Sequence, residues 1–276
     1  MLCTGTAAEP PAPEGGLARS LAEEAHYEEA ALEYRRLALA EPDPARRGGY
    51  YWAAAYAYLR AQDPERAQAM LDRAEDDAPE LATPAMLLRA ETTQAAGQQE
   101  ESAFYLESVL AGSPDGQTQR YVRQLLAATH LRLHEPVKAR ALLANADWDA
   151  DSARAAIDAY QRGRDKKPRL GALLGAVPGL GYVYAGEYAN GLRSLILNGL
   201  FIYGMANTAN KEQWGAFSVI TFFEFTWYTG SIYGGIDASH RYNRERRQRC
   251  IKAVHAGAAF EPDLEAVPAV VLRFSF

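Results

Sequence analysis

Cysteine, histidine and, over one long stretch, charge are what this sequence has least of. Only two cysteines occur in 276 residues, Cys3 and Cys250, near opposite ends. They exclude a disulfide framework and a thiolate metal quartet; a single bridge between the termini is the most they allow, and nothing in the sequence argues for it. Of the five histidines, His130 and His134 lie four apart on a stretch that also holds Leu131 and Leu133. No third ligand accompanies them, so no metal site is expected. The chain has no nucleophile elbow, P-loop, HExxH or CxxC sequence. Neither an enzyme nor a bound cofactor is expected.

Charge is segregated. Residues 1–165 carry 17 Lys/Arg and 27 Asp/Glu, a net of −10, whereas residues 166–276 carry 12 and 8, a net of +4. Between Leu170 and Ile236 only Glu187, Arg193, Lys211, Glu212 and Glu224 are charged. One compact soluble core needs no such division. The composition predicts an acidic soluble part joined to a membrane-embedded part. The field of the acidic part repels phosphates, so nucleic acid is not an expected partner.

Residues 1–16 have no basic region and no apolar stretch long enough for a complete signal peptide. They read either as a disordered Pro/Ala-rich tail or, from the small residues Thr6-Ala7-Ala8, as the remnant of a leader.

Residues 17–150 repeat themselves. Ala30, Ala67, Ser102 and Ala139 are spaced 37, 35 and 37 residues apart. Four positions later stand Tyr34, Leu71, Leu106 and Leu143; seven positions later stand Leu37, Ala74, Val109 and Ala146. Offsets 0, +4 and +7 make one face of a helix. Pro42, Pro79 and Pro114, twelve positions on in the first three units, end it. A second helical stretch precedes each of these, with Leu17/Ala18, Ala54/Ala55 and Leu126/Ala127 in three of the units. The unit is helix–turn–helix of about 34–37 residues.

This unit resembles the tetratricopeptide repeat, most clearly in Tyr27–Tyr34 (YEEAALEY) and Asp63–Ala67 (DPERA), and more loosely in Gly97–Ser102 and His134–Ala139. The third unit departs from the pattern at Arg89 and Thr93. The resemblance implies a solenoid of stacked helical hairpins that receives a protein partner on its concave face, with the contacting residues unspecified. The runs Glu23-Glu24, Glu28-Glu29 and Glu75-Asp76-Asp77 read as solvated faces.

Residues 151–168 read as a linker helix. Residues 169–243 change character. Leu170–Gly186 and Ser194–Asn210 are free of charge, and Gln213–Ile236 is interrupted only by Glu224. The last two stretches reach spanning length if Leu192 and Arg193 join the former. The first is broken at Pro178-Gly179 and reads as a short helix and turn. The Gly171/Gly175/Gly179 and Gly230/Gly234 spacings suit close helix packing, including self-association through glycine-rich helices. Pro178, Gly179, Gly181, Tyr184 and Gly186 in the order PGxGxxYxG, then Gly191 and two apolar helices, resemble a bacterial two-transmembrane-helix domain family. That resemblance implies residence in the membrane and no particular activity.

The expected architecture is therefore all-α, a tetratricopeptide-like solenoid followed by a transmembrane hairpin. The bilayer is an expected partner and the bacterial inner membrane the expected location. Basic flanks at Lys166, Lys167 and Arg169, and again from Arg241 to Lys252, favour cytoplasmic repeats; a leader would make them periplasmic. Glu224 and Asn198 are equally far along the chain from Lys211 at the hairpin tip and should meet, with Arg193 as charge partner. The expected function is a membrane-anchored scaffold for protein–protein interaction in the envelope. The alternative is a small transporter or channel component around Glu224. A third reading is a soluble helical protein that buries the apolar hairpin. Residues 244–276 form a basic segment and tail, whose end places Val270, Leu272, Phe274 and Phe276 on one face of a strand. That strand either packs locally or adds to a partner's sheet edge.

Overall fold

A computed structural model describes residues 15–112, 114–144, 146–255 and 258–276. Cys3, and with it any bridge to Cys250, lies outside the described residues, as does most of the 1–16 segment. The chain is mostly helical. The first eight helices are α1 (Gly16–Glu23), α2 (Tyr27–Ala40), α3 (Pro44–Arg60), α4 (Pro64–Asp77), α5 (Ala82–Ala95), α6 (Gln99–Ala111), α7 (Gly116–Arg132) and α8 (Pro136–Leu142). Then come α9 (Asp151–Arg162), α10 (Pro168–Gly175), α11 (Leu180–Tyr184), α12 (Tyr188–Asn210) and α13 (Trp214–His255). A two-stranded antiparallel ribbon, β1 (Ala259–Pro262) and β2 (Leu272–Ser275), ends the chain.

The chain divides into two compact units. One joins the chain up to Arg154 to the segment Val254–Phe276; the other is Ala155–Ala253. The C-terminal tail thus belongs with the repeats, far upstream in the sequence, and not with the basic helix that leads into it.

In the first unit each helix packs on the next from α1 to α8, and α3 also meets α5. The periodic residues explain this. Ala30, Ala67, Ser102 and Ala139 are all wholly buried, and so are Leu71, Leu106 and Leu143. A small side chain at the first position lets two helix backbones close up, and the larger residue one turn on fills the space beside it. Starts are fixed by caps. Asp43 and Asp63 accept the backbone N–H groups of Arg46 and Arg66, each with proline next in sequence. Asp115 accepts those of Gln117 and Thr118.

The turns repeat as well. Ala25, Gln62, Gly97 and His134 all have φ between 62° and 83°. Their spacing along the chain is that of the buried small residues. In each turn the next N–H reaches back to a carbonyl one turn and more before it: His26 to Leu21, Asp63 to Tyr58, Gln98 to Thr93 and Glu135 to His130, at 2.8–2.9 Å. This is the Schellman closure, which satisfies a carbonyl left over at the helix end. Only one of the four left-handed positions is glycine, so the sequence signal for it is hidden.

Arg89 and Thr93, the misfits of the third unit, are both accommodated. Arg89 pairs with Asp72 and Glu75 of α4, each at 2.9 Å. Thr93 is wholly buried and donates to the carbonyls of its own helix. The run Glu75-Asp76-Asp77 is correspondingly not plain solvated surface, since Asp77 makes a two-pronged bond to Arg47.

In the second unit α10 and α11 are short, as the break at Pro178-Gly179 predicts. Helices α12 and α13 meet at a turn, Lys211–Gln213, closed in the same way by Gln213 N–H to the Thr208 carbonyl. The predicted membrane crossings are overturned: among the described residues no helix is long and apolar enough to cross a membrane. Helix α12 has 23 residues, but Arg193, Asn198, Asn207 and Asn210 dilute it. Helix α13 has 42, but Glu224 interrupts its apolar part, and Thr221, Thr226, Thr229 and Ser231 weaken it. The integral placement in an inner membrane goes with the crossings. The channel reading loses the spanning helices on which it relied.

Candidate binding face and the glycine-rich crossing

The C-terminal tail is seated on α3 and α7 and reaches the start of α1. Its ribbon has Phe260 opposite Phe274 and Glu261 opposite Arg273. Both phenylalanine rings lie against Tyr121 of α7, with centroids 5.6 and 5.4 Å away. His255 approaches the same ring. The loop between the strands reaches α3, where a side chain at Gly49 would have its Cβ 1.7 Å from the Pro268 carbonyl oxygen. Only glycine admits that approach. Leu264 and Val267 reach the end of α1, where with Arg19 and Tyr34 they line a small cleft. Arg120 lies over the ring of the last residue, Phe276, at 3.9 Å from its centroid.

The consequence is visible in burial. A surface helix shows one buried stripe, yet every residue of α3 from Gly48 to Tyr58 is buried. Helix α7 is likewise buried continuously from Gln124 to Leu131. The tail adds to this cover at Gly49 of α3 and at Arg120 and Tyr121 of α7. The alternation holds from Val270 to Phe274, with residues 270, 272 and 274 half-buried and those between them exposed, but Phe276, expected on the same face, is exposed. The strand packs locally and pairs within its own chain.

One polar cluster lies in this face. The Tyr121 hydroxyl donates to the Glu91 carboxylate of α5. Burial pushes the Glu91 carboxyl up to about 7, against the pull of that hydrogen bond and of Arg60. The Arg60 guanidinium stacks on the rings of Tyr27 and Tyr56. Nothing in the local sequence pattern singles out Glu91, because its partner stands two helices further along the chain. His130 takes part in no metal cluster among the described residues; its Nδ1 meets the Glu135 carboxylate at 2.9 Å.

In the second unit the PGxGxxYxG residues form a packing crossing. Gly179 has φ +89° and opens α11, and a Cβ there would lie 2.2 Å from the Gly191 carbonyl oxygen. A Cβ at Gly181 would lie 2.7 Å from the Gly171 carbonyl oxygen and 2.8 Å from Gly235 Cα. Gly175 and Gly234 are similarly occupied, by Ile232 and by the Tyr182 ring. The glycines expected to serve self-association at 171, 175, 179 and 234 are therefore used within the chain, and Gly230 alone of that set faces open space. Pro178 is half-buried ahead of Gly179, and Gly186, at φ +86°, closes α11 with open space around it. The Tyr184 hydroxyl accepts the Lys167 N–H at 2.9 Å, and its ring lies under the Lys166 ammonium.

Two further ties hold this crossing, and neither was legible in the sequence. Glu187 makes a bidentate pair with Arg241 at 2.8 and 2.9 Å. Asn243 clasps the backbone N–H and carbonyl of Lys166. Deeper in, Ser231 bridges the Gly175 carbonyl, the Gly179 N–H and the Ser194 hydroxyl.

The three polar residues singled out in this region do not form a joined site. Asn198 is wholly buried and donates to the Ser194 carbonyl, while its own Oδ1 has no partner. Glu224 is buried, its Oε2 has no partner, and burial raises its pKa. Among the described residues no hydrogen bond or ion pair joins Glu224 to Asn198 or Arg193. Arg193 is exposed, on the wall of a cleft it shares with Asn190, Ser194 and Trp227.

Comparison with known proteins finds no matching family model, no matching curated protein and no matching solved structure.

Proposed function

We propose that the chain is a protein-interaction scaffold whose binding part is a tetratricopeptide-like solenoid of the eight N-terminal helices. The observation that carries this reading is the seated tail. Helices α3 and α7 hold a short β-ribbon of the chain's own tail by close backbone, aromatic and cation–π contacts, the kinds of contact a peptide-receiving face has to make. The even-numbered helices add exposed apolar side chains at Leu32, Leu39 and Phe104. The charge of the repeats, net negative, favours partners that are not nucleic acids.

The test is site-specific photo-crosslinking in the native host, with the probe at Leu39 or Phe104. A scaffold gives a small, reproducible set of protein adducts that compete away with unlabelled chain. Adducts no more abundant than those from a probe at the polar Glu101, which is exposed on the same helix as Phe104, would contradict it.

A further inference from the structure

We propose that the tail seat on α3 and α7 also accepts the tail of a second copy of this chain, so that copies are linked by exchange of residues 258–276. This rests on the scaffold reading and names one of its partners.

Three observations carry it. First, the seat is shaped for this segment. Gly49 leaves room for the Pro268 carbonyl, Tyr121 receives Phe260 and Phe274, and Arg120 covers Phe276. Every copy carries an identical segment, so a tail in trans makes the same contacts as the tail in cis. Second, the tail cannot stand alone. Its strands are four residues each, and an isolated two-stranded ribbon is marginal in water. A tail that leaves its seat gains most by entering another. Third, the seat cannot stand open, because removing the tail uncovers Tyr121 and the apolar core on which Leu264, Val267, Leu272 and Phe274 pack. Exchange of an identical element satisfies both requirements at little cost beyond association entropy.

The test is complementation with full-length chains. F260A/F274A spoils the tail and leaves the seat. Gly49→Ala spoils the seat, since its Cβ meets the Pro268 carbonyl, and leaves the tail. Circular dichroism confirms that each variant keeps its helices. Sedimentation then follows each variant alone and the two mixed. The expected result is a one-to-one complex in the mixture with an affinity at least tenfold tighter than either variant's self-association. Two well-folded variants that do not pair overturn the proposal and make the tail a fixed part of its own unit. A synthetic peptide of residues 258–276 provides the other arm. If the F260A/F274A chain binds the peptide but not the G49A chain, the seat takes free segments and not a second copy, which also overturns it. Failure here with partner adducts still present at Leu39 or Phe104 leaves the scaffold reading standing; pairing without such adducts removes that reading and keeps the exchange.

Discussion

Glu91 is the residue whose chemistry departs furthest from its surface appearance. It is an acid on an acidic helical array, yet its carboxyl is held at about 7 by burial beside Tyr121. A carboxyl whose pKa is raised by folding binds a proton more tightly in the folded state. Its contribution is fully present below its ordinary value of 4.5 and is lost as pH rises through about 7. A shift of this size corresponds to about 3 kcal/mol. Urea unfolding at pH 5 and pH 8 should show the first unit weaker at pH 8, and Glu91→Gln, which keeps an acceptor for the Tyr121 hydroxyl, should flatten the difference. An equal pH dependence in the variant would mean that another group is responsible. Glu224 pushes in the same direction in the second unit, where an unpaired buried oxygen adds to the loss on ionisation.

At the scale of elements, two kinds of glycine position separate cleanly. Gly181→Ala would force a Cβ against the Gly171 carbonyl and the Gly235 backbone, and should lower stability by about 1–3 kcal/mol. Gly199, in the middle of α12, has nothing within 4 Å; its replacement by alanine should raise stability by about 0.5–1 kcal/mol. Thermal melts of the two variants should move in opposite directions. The left-handed turns give a third case. Gln62 at φ 63° carries a side chain where glycine is at ease, so Gln62→Gly should stabilise the α3–α4 turn by about 1 kcal/mol. A neutral or negative effect would show that the Gln62 side chain is held by contacts that outweigh its backbone strain.

These elements also show what the sequence makes legible. The small-then-large pattern at Ala30/Tyr34 and its three repeats was readable because helix packing demands it at a fixed period. The left-handed residues have that same period, but Ala25, Gln62 and His134 do not advertise it, because the Schellman hydrogen bonds and the packed helices impose the conformation on whatever residue falls there. Gly171, Gly175 and Gly179 were readable as close-packing positions, but not their targets, which lie at Gly235, Ser239 and Ile232 of α13 and at Gly191 of α12. Charge-free runs rich in residues such as Leu195, Leu200, Phe222 and Phe225 made α12 and α13 look like crossings. With the polar residues between them, neither helix is long and apolar enough to cross a membrane. Glu187–Arg241 and Glu91–Tyr121 were invisible for one shared reason: a pair whose members stand on separate helices, far apart in the chain, has no local signature.

For the whole molecule, the decisive feature is that the first unit is built from two distant pieces of chain, the repeats and the C-terminal segment Val254–Phe276. The tail packs on α3 at Gly49 and on α7 at Arg120 and Tyr121, on the face on which the scaffold reading depends. Hydrogen–deuterium exchange on the full chain tests this most directly, comparing F260A/F274A with the unchanged protein. If the tail covers α3 and α7, exchange in residues 44–60 and 116–132 should speed up at least tenfold while residues 188–210 stay as they were. Unchanged protection of α3 and α7 in the variant would contradict the account and leave the tail a passive end.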